Sequence, residues 1–212
     1  MSLTDLRAEV SDALRQPIDD ASRLTTAMVD RAINRAYIDF AKASACFSRT
    51  VALTTVANQA TLTLPSDLVH VRDVQYNGTP LTPATSALLD LAQPGWRTLA
   101  AGVPDYWLCD MATTLVLSPA PSTDGQTVLV TGQVTPSNET GGIPLLTAAT
   151  DAPQLPFMYH RALAFGAIVN LGAFYFADDA TVQPAMQAAA QQFAALMKSF
   201  RADLVTEGAY GG

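Results

Sequence analysis

Two histidines, two cysteines and a scatter of carboxylates are the residues of this 212-residue chain best equipped for chemistry. His70 lies in a strand-like run, and His160 opens a helix-like run that also carries Arg161. A histidine acts as base or ligand only beside a nucleophile or a second donor, and neither has one nearby in sequence. Each therefore reads as a surface residue or a hydrogen-bonded core residue. Cys46 and Cys109 have no metal-ligand spacing and are too few for a disulfide framework. Both read as reduced, small buried residues of a cytosolic product. Cys46 falls at the end of a predicted helix, where the negative end of the dipole disfavours a thiolate. Asp178-Asp179 reads as a helix cap, since a divalent cation needs more oxygens than two neighbours supply. Asp105 and Asp110, five apart on a predicted strand, face opposite sides and do not form a catalytic pair. Asn138-Glu139-Thr140 matches a glycosylation sequon by chance, because Met1–Asp5 opens the chain without an apolar signal core. Phosphate-binding loops, nucleophile elbows and zinc-protease motifs are absent. The reading is of no enzyme: no catalytic, metal or cofactor-binding residue is expected.

Aromatic residues offer another route to a ligand. Trp96 and the pair Tyr106-Trp107 have faces that stack on sugars or bases. They equally suit a core or a subunit interface, where aromatics dominate, and they are the candidate interface aromatics. Charged residues make up 15% of the chain against 49% hydrophobic, with a net charge of −7. This balance excludes a disordered chain. It also excludes a protein that wraps nucleic acid, which needs a basic face to displace counterions. The longest apolar run, Ala162–Ala177, is interrupted by Asn170 and falls short of the roughly 18–20 residues of a membrane span. It reads as a helix buried in protein, with no membrane partner.

These residues must be carried by elements that the hydrophobic periodicity outlines. Leu3, Leu6, Val10 and Leu14 are spaced as one face of a helix ended by Pro17. Asp19, Asp20, Ser22 and Thr25 are candidate caps of a second, whose apolar face runs from Met28 to Phe40. From Ser48 the texture turns Thr-rich and β-branched. A parity switch between Val69/Val71 and Val74/Tyr76 predicts a bulge near Arg72-Asp73, and Asn77-Gly78 predicts a tight hairpin. Leu88, Leu89 and Leu91 make a short helix. Strands follow at 104–110, 114–117 and 127–134. Phe157–Phe176 is apolar nearly all round, implying partners on every side, with Gly166 and Gly172 permitting close helix approach. Val182, Met186, Ala189, Phe193, Leu196 and Phe200 form a seam of alternating four- and three-residue steps, read as an intramolecular bundle face.

The expected fold class is α+β: a helical bundle formed by N- and C-terminal helices with an inserted β-rich domain. The expected boundaries are 1–47 plus 155–204 for the bundle, 48–154 for the insertion and 205–212 for a short C-terminal tail. A resemblance rests on Ala32-Ile-Asn-Arg-Ala-Tyr-Ile-Asp-Phe40, Leu62-Thr-Leu-Pro-Ser-Asp-Leu68 and Val71-Arg-Asp-Val-Gln-Tyr-Asn-Gly-Thr-Pro-Leu81. It continues in Trp96, Gly102-Val-Pro-Asp-Tyr-Trp107, Leu115-Val-Leu-Ser-Pro-Ala-Pro121 and Leu155-Pro-Phe-Met-Tyr-His-Arg-Ala-Leu163. In this order the parts resemble the head-to-tail adaptor (connector) proteins of tailed bacteriophages, including the short-tailed kind.

The resemblance implies a structural virion protein at the neck, a homo-oligomeric ring commonly of twelve subunits. It would sit between the portal protein and the tail tube or nozzle protein, with DNA passing through its lumen without specific binding. It also implies a C-terminal extension that reaches the portal, which maps to Leu204, Val205, Glu207 and Tyr210. The chain's negative charge suits a lumen that does not hold DNA. Another neck component, such as a tail-completion or nozzle protein, is the nearest alternative. A β-rich glycan-binding module built on Trp96 and Trp107 is the second, and an open aromatic cleft would favour it.

Overall fold

A computed structural model describes residues 1–19, 23–110, 113–176 and 178–210, with the backbone alone for residues 110 and 204–210. The elements run α1 (Leu3–Leu14), α2 (Thr26–Ser44), β1 (Ser48–Thr54), β2 (Thr61–Thr63), β3 (Leu68–Tyr76), β4 (Thr79–Pro80) and β5 (Thr82–Pro83). Then come α3 (Ser86–Ala92), β6 (Tyr106–Asp110), β7 (Thr114–Ser118), β8 (Thr127–Val134), α4 (His160–Tyr175) and α5 (Gln183–Tyr210). Short 3₁₀ turns at Trp96–Thr98 and Phe157–Tyr159 precede β6 and α4. Helices from both ends of the chain thus flank a strand-rich middle, the α+β class read from the sequence.

The chain forms two compact units. One comprises Met1–Cys46, Pro136–Asn138 and the chain from Ile143 on; the other comprises Phe47–Thr135 and Glu139–Gly142. In the helical unit, α1 starts at a capping box in which Ser2 and Asp5 satisfy each other's backbone N–H groups, and it stops at Arg15 in the left-handed region, before Pro17. Thr25, of the four candidate caps, accepts from Met28 N at the start of α2; Asp20 and Ser22 lie outside the described residues. The buried face of α2 carries Val29, Ile33, Ala36, Tyr37 and Phe40. Helix α4 packs on α1, α2 and α5, which accounts for its all-round apolar pattern. At Gly166 a Cβ would stand 2.7 Å from that of Ala36, and at Gly172 it would overlap Met186, so both glycines are needed for close approach. The predicted seam faces inward, with Val182 just before α5 and Ala189 and Phe200 along it buried and the residues between them mostly exposed. Phe40 meets Phe200 at 5.2 Å between ring centroids, and Tyr159 stacks edge-on to Phe200 at 4.6 Å. Such pairs add about 0.5–1.5 kcal/mol each beyond area burial.

The return to the helical unit comes earlier than the boundary at 154/155 read from Pro153–Pro156. Residues 143–154 belong with the helices because their polar groups are spent there. Leu3 N donates to Asp151 O at 2.7 Å, the Asn34 amide exchanges two hydrogen bonds of 2.8 Å with the Leu146 backbone, and Gln154 N donates to Tyr37 Oη at 2.9 Å. At the other end the helical pattern runs on: α5 continues through Tyr210, past the point where a separate tail was expected to begin.

In the β-rich unit, strands order as β1-β8-β3-β4 in one sheet and β2-β7-β6-β5 in the other. All pairs are antiparallel except β5 with β6. Val128, Val130 and Val134 share the buried face of β8. The bulge expected near Arg72-Asp73 is present between Val71 and Asp73, with a second irregularity between Leu68 and His70. Through these offsets Leu68, Val71, Val74 and Tyr76 all reach the core. Asn77 and Gly78 both have positive φ, 48° and 79°, and join β3 to β4 as a two-residue turn.

Candidate functional site

Of the aromatic candidates, Trp96 opens the 3₁₀ turn that follows α3, and Tyr106 and Trp107 lie on β6. Thr85 caps α3 by accepting from Leu88 N. Of the three leucines of α3, Leu89 is buried, whereas Leu88 and Leu91 are exposed. Leu89, Trp96 and Leu108 form one buried cluster, with Tyr106 and Val116 packed against it half-buried. Trp96 is held by its indole N–H, which donates to Asp90 at 2.8 Å, while Arg97 lies over its ring at 4.3 Å and bonds the same carboxylate at 2.7 Å. The indole first, and the guanidinium second, hold the Asp90 carboxyl below its usual range. Trp107 is also buried. Neither indole contributes to an open stacking platform, so the feature that would have favoured a glycan-binding module is missing at these two residues. The cleft beside this cluster, about 390 Å³ between Tyr76–Thr82 and Val103–Tyr106, brings Asp105 to its wall, and its lining holds no histidine, cysteine or second carboxylate.

The chemistry-bearing residues are dispersed and occupied structurally. His160 is buried, with Nδ1 accepting from the Met1 amino group at 3.1 Å and Nε2 donating to Leu155 O at 2.8 Å. His70 is exposed on β3. Cys46 is half-buried, and burial pushes its thiol up. Cys109, expected to be buried, is exposed, although Trp107, two positions back on the same face of β6, is buried. Asp179 does not cap α5 directly. Its side chain accepts from Thr181 N and Oγ1, its carbonyl receives Val182 N, and it pairs with Arg23 at 3.4 Å, shaping the turn that leads into the helix. Asp105 is exposed, and the side chain of Asp110 lies outside the described ones. Among the described residues no group of three or more His, Cys, Asp or Glu is placed to hold a metal, and no helix is long and apolar enough to cross a membrane. The side chains of Leu204, Val205, Glu207 and Tyr210 lie outside the described ones; their backbone is the end of α5.

Two features escaped sequence reasoning. Arg49 and Asp67 form a salt bridge of 2.8 Å in the β-rich unit, with the Asp67 side chain fully buried. Nothing in their spacing announces a partner eighteen residues away. Arg49 also reaches Thr140 O at 3.4 Å, so the pair ties the Glu139–Gly142 segment to β1. The second is a groove of about 210 Å³ on the helical unit between α2 and the end of α4, lined by Arg31, Arg35, Leu171, Phe174 and Tyr175 among others. Arg31 and Arg35 are one helical turn apart, a spacing visible in the sequence. The aromatics belong to the apolar run that was expected to be buried throughout, yet Phe174 is 66% and Tyr175 42% exposed. The run is buried along its middle and open at its ends.

Neither the cleft nor the groove therefore brings together a reacting constellation, and among the described residues the surface offers exposed apolar side chains: Phe157, Met158, Phe174 and Tyr175 on the helical unit, Val56, Leu88, Leu91, Leu99 and Val103 on the β-rich one. Compared with known families, residues 1–210 match the SU10 adaptor protein model. The chain belongs to the SU10 adaptor protein family. The adaptor is a bacteriophage structural protein, as the order of its helical and strand motifs implied. No curated protein matches the adaptor. The family covers both compact units, so neither the helices nor the β-rich insertion is a foreign addition to the adaptor.

Proposed function

We propose that the adaptor forms a ring, of twelve copies by analogy with head-to-tail connectors, at the neck of the virion. The ring joins the portal protein to the tail tube or nozzle protein and gives DNA a passage that does not bind it. Supporting this reading is the family match over residues 1–210. Exposed apolar residues on both units add to it, since surfaces of this kind serve protein contacts. The net charge of −7 favours a lumen lined by acidic or neutral side chains. The end of α5, with Leu204, Val205, Glu207 and Tyr210, is the segment assigned to the portal. Candidate interface aromatics reduce in practice to Tyr106, the half-buried member of its trio.

Native mass spectrometry and electron microscopy of the purified adaptor, alone and mixed with portal, test this. A closed ring that docks on the portal is expected. Deletion of residues 204–212 is expected to weaken docking and leave both units folded. A monomer in the assembled particle, or a continuous Lys/Arg belt lining the lumen, would overturn the proposal.

A further inference from the structure

Among the described residues, the helical unit exposes large apolar side chains at two places, one at each end of the buried helix α4. Phe157 and Met158, 71% and 68% exposed, stand on the 3₁₀ turn that leads into it. Phe174 and Tyr175 close it, beside the groove with Arg31 and Arg35. The sixteen residues of α4 set the two places roughly 24 Å apart at 1.5 Å per residue.

The two ends differ in shape and charge. The first is a pair of projecting side chains, and its next residue, Tyr159, donates its hydroxyl to the exposed carboxylate of Asp203. The second is concave and basic. Arg35 lies over the Phe174 ring at 5.6 Å, and among the described residues neither Arg31 nor Arg35 has an ion-pair partner. At about 210 Å³ the groove is smaller than the roughly 300–1,000 Å³ of small-molecule sites, a size that suits one or two inserted side chains. Projecting apolar groups beside a carboxylate at one end and an arginine-flanked groove at the other are complementary. Two different patches that fit one another make a heterologous, head-to-tail contact, the kind that closes into rings.

We propose that the occupant of the Arg31/Arg35/Phe174 groove is a second copy of this chain, which inserts Phe157 and Met158 and brings Asp203 toward the two arginines. The inference rests on the proposed ring and names the contact between successive subunits.

Two variant sets test it in the full chain. The first, Phe157→Ser with Met158→Ser, removes the projection. The second, Arg31→Glu with Arg35→Glu, reverses the charge of the groove. All four residues are exposed, so circular dichroism is expected to report wild-type folding. By native mass spectrometry and sedimentation velocity over rising concentration, the wild type is expected to self-associate. Each variant alone is expected to lose at least tenfold in apparent association constant. Mixed together, they are expected to give a 1:1 pair and nothing larger, because each retains the surface the other lacks. Wild-type assembly by both variants, or a mixture that stays monomeric, overturns the head-to-tail contact and leaves the ring to other surfaces. A wild type that is monomeric alone, with portal and in particles overturns the ring and this contact together.

Discussion

The helical and β-rich units gather their buried apolar residues from different distances along the chain. The helical unit is sewn from its two ends: Leu3 bonds Asp151, Arg161 pairs with Glu9 at 3.0 Å, Arg23 reaches Asp179, and Arg201 reaches Ala43 O. The β-rich unit closes on itself within one uninterrupted stretch and the short return at Glu139–Gly142. A unit assembled from separated segments depends on every segment being present. A unit drawn from one stretch carries its own determinants.

The two can be followed separately, since both tryptophans lie in the β-rich unit and all helices except α3 lie in the other. The largest expected effect is that of Phe40→Ala. It empties the centre of the aromatic cluster and should cost about 3–5 kcal/mol, read as a lower urea midpoint in the 222 nm dichroism, with tryptophan fluorescence moving much less. Coincident shifts in both signals would show that the units unfold as one. Leu89→Ala is the converse probe. It should cost about 2–5 kcal/mol and move the fluorescence transition first.

A smaller contrast is expected in acid. Backbone and hydroxyl donors hold Asp5, Asp151 and Asp179 below the usual carboxylate range in the helical unit, and Trp96 with Arg97 does so for Asp90 in the other. Their folded values lie beneath the unfolded value of about 3.9. They therefore stabilise the fold above that pH, and the contribution disappears as pH falls through the folded values. Thermal melts from about pH 5 down to about pH 3 should show the 222 nm transition falling further than the fluorescence one. Asp5→Asn with Asp151→Asn should narrow the gap, and an unchanged gap would sever it from these carboxylates. The smallest effect concerns the thiols. Exposed Cys109 should react with an aromatic disulfide reagent faster than half-buried Cys46, whose thiol is pushed up by burial. Equal rates on the folded protein, checked by peptide mapping, would refute the difference.

Much of the fold was legible because its signals are local. The 4-3 seam of α5, the parity switch in β3 and Asn77-Gly78 each name their own geometry. The crossing points were harder to place. Pro153–Pro156 looked like a boundary, but residues 143–154 were claimed earlier by hydrogen bonds to α1 and α2, partners more than a hundred positions upstream. Surface features were least legible. An apolar run does not say where burial stops, so Phe174 and Tyr175 read as core, and Cys109 read as buried although it stands exposed near the end of β6.

The position of α4 bears on how the protein is made. Helices α1 and α2 leave the ribosome before the strands, yet the helix that covers their apolar faces begins only at His160, after the whole β-rich unit. At roughly 5–20 residues per second, the nascent chain carries Ile33, Tyr37 and Phe40 uncovered for on the order of ten seconds. During that interval the β-rich unit can complete itself while the N-terminal pair waits, open to chaperones and to neighbouring nascent chains on the same message.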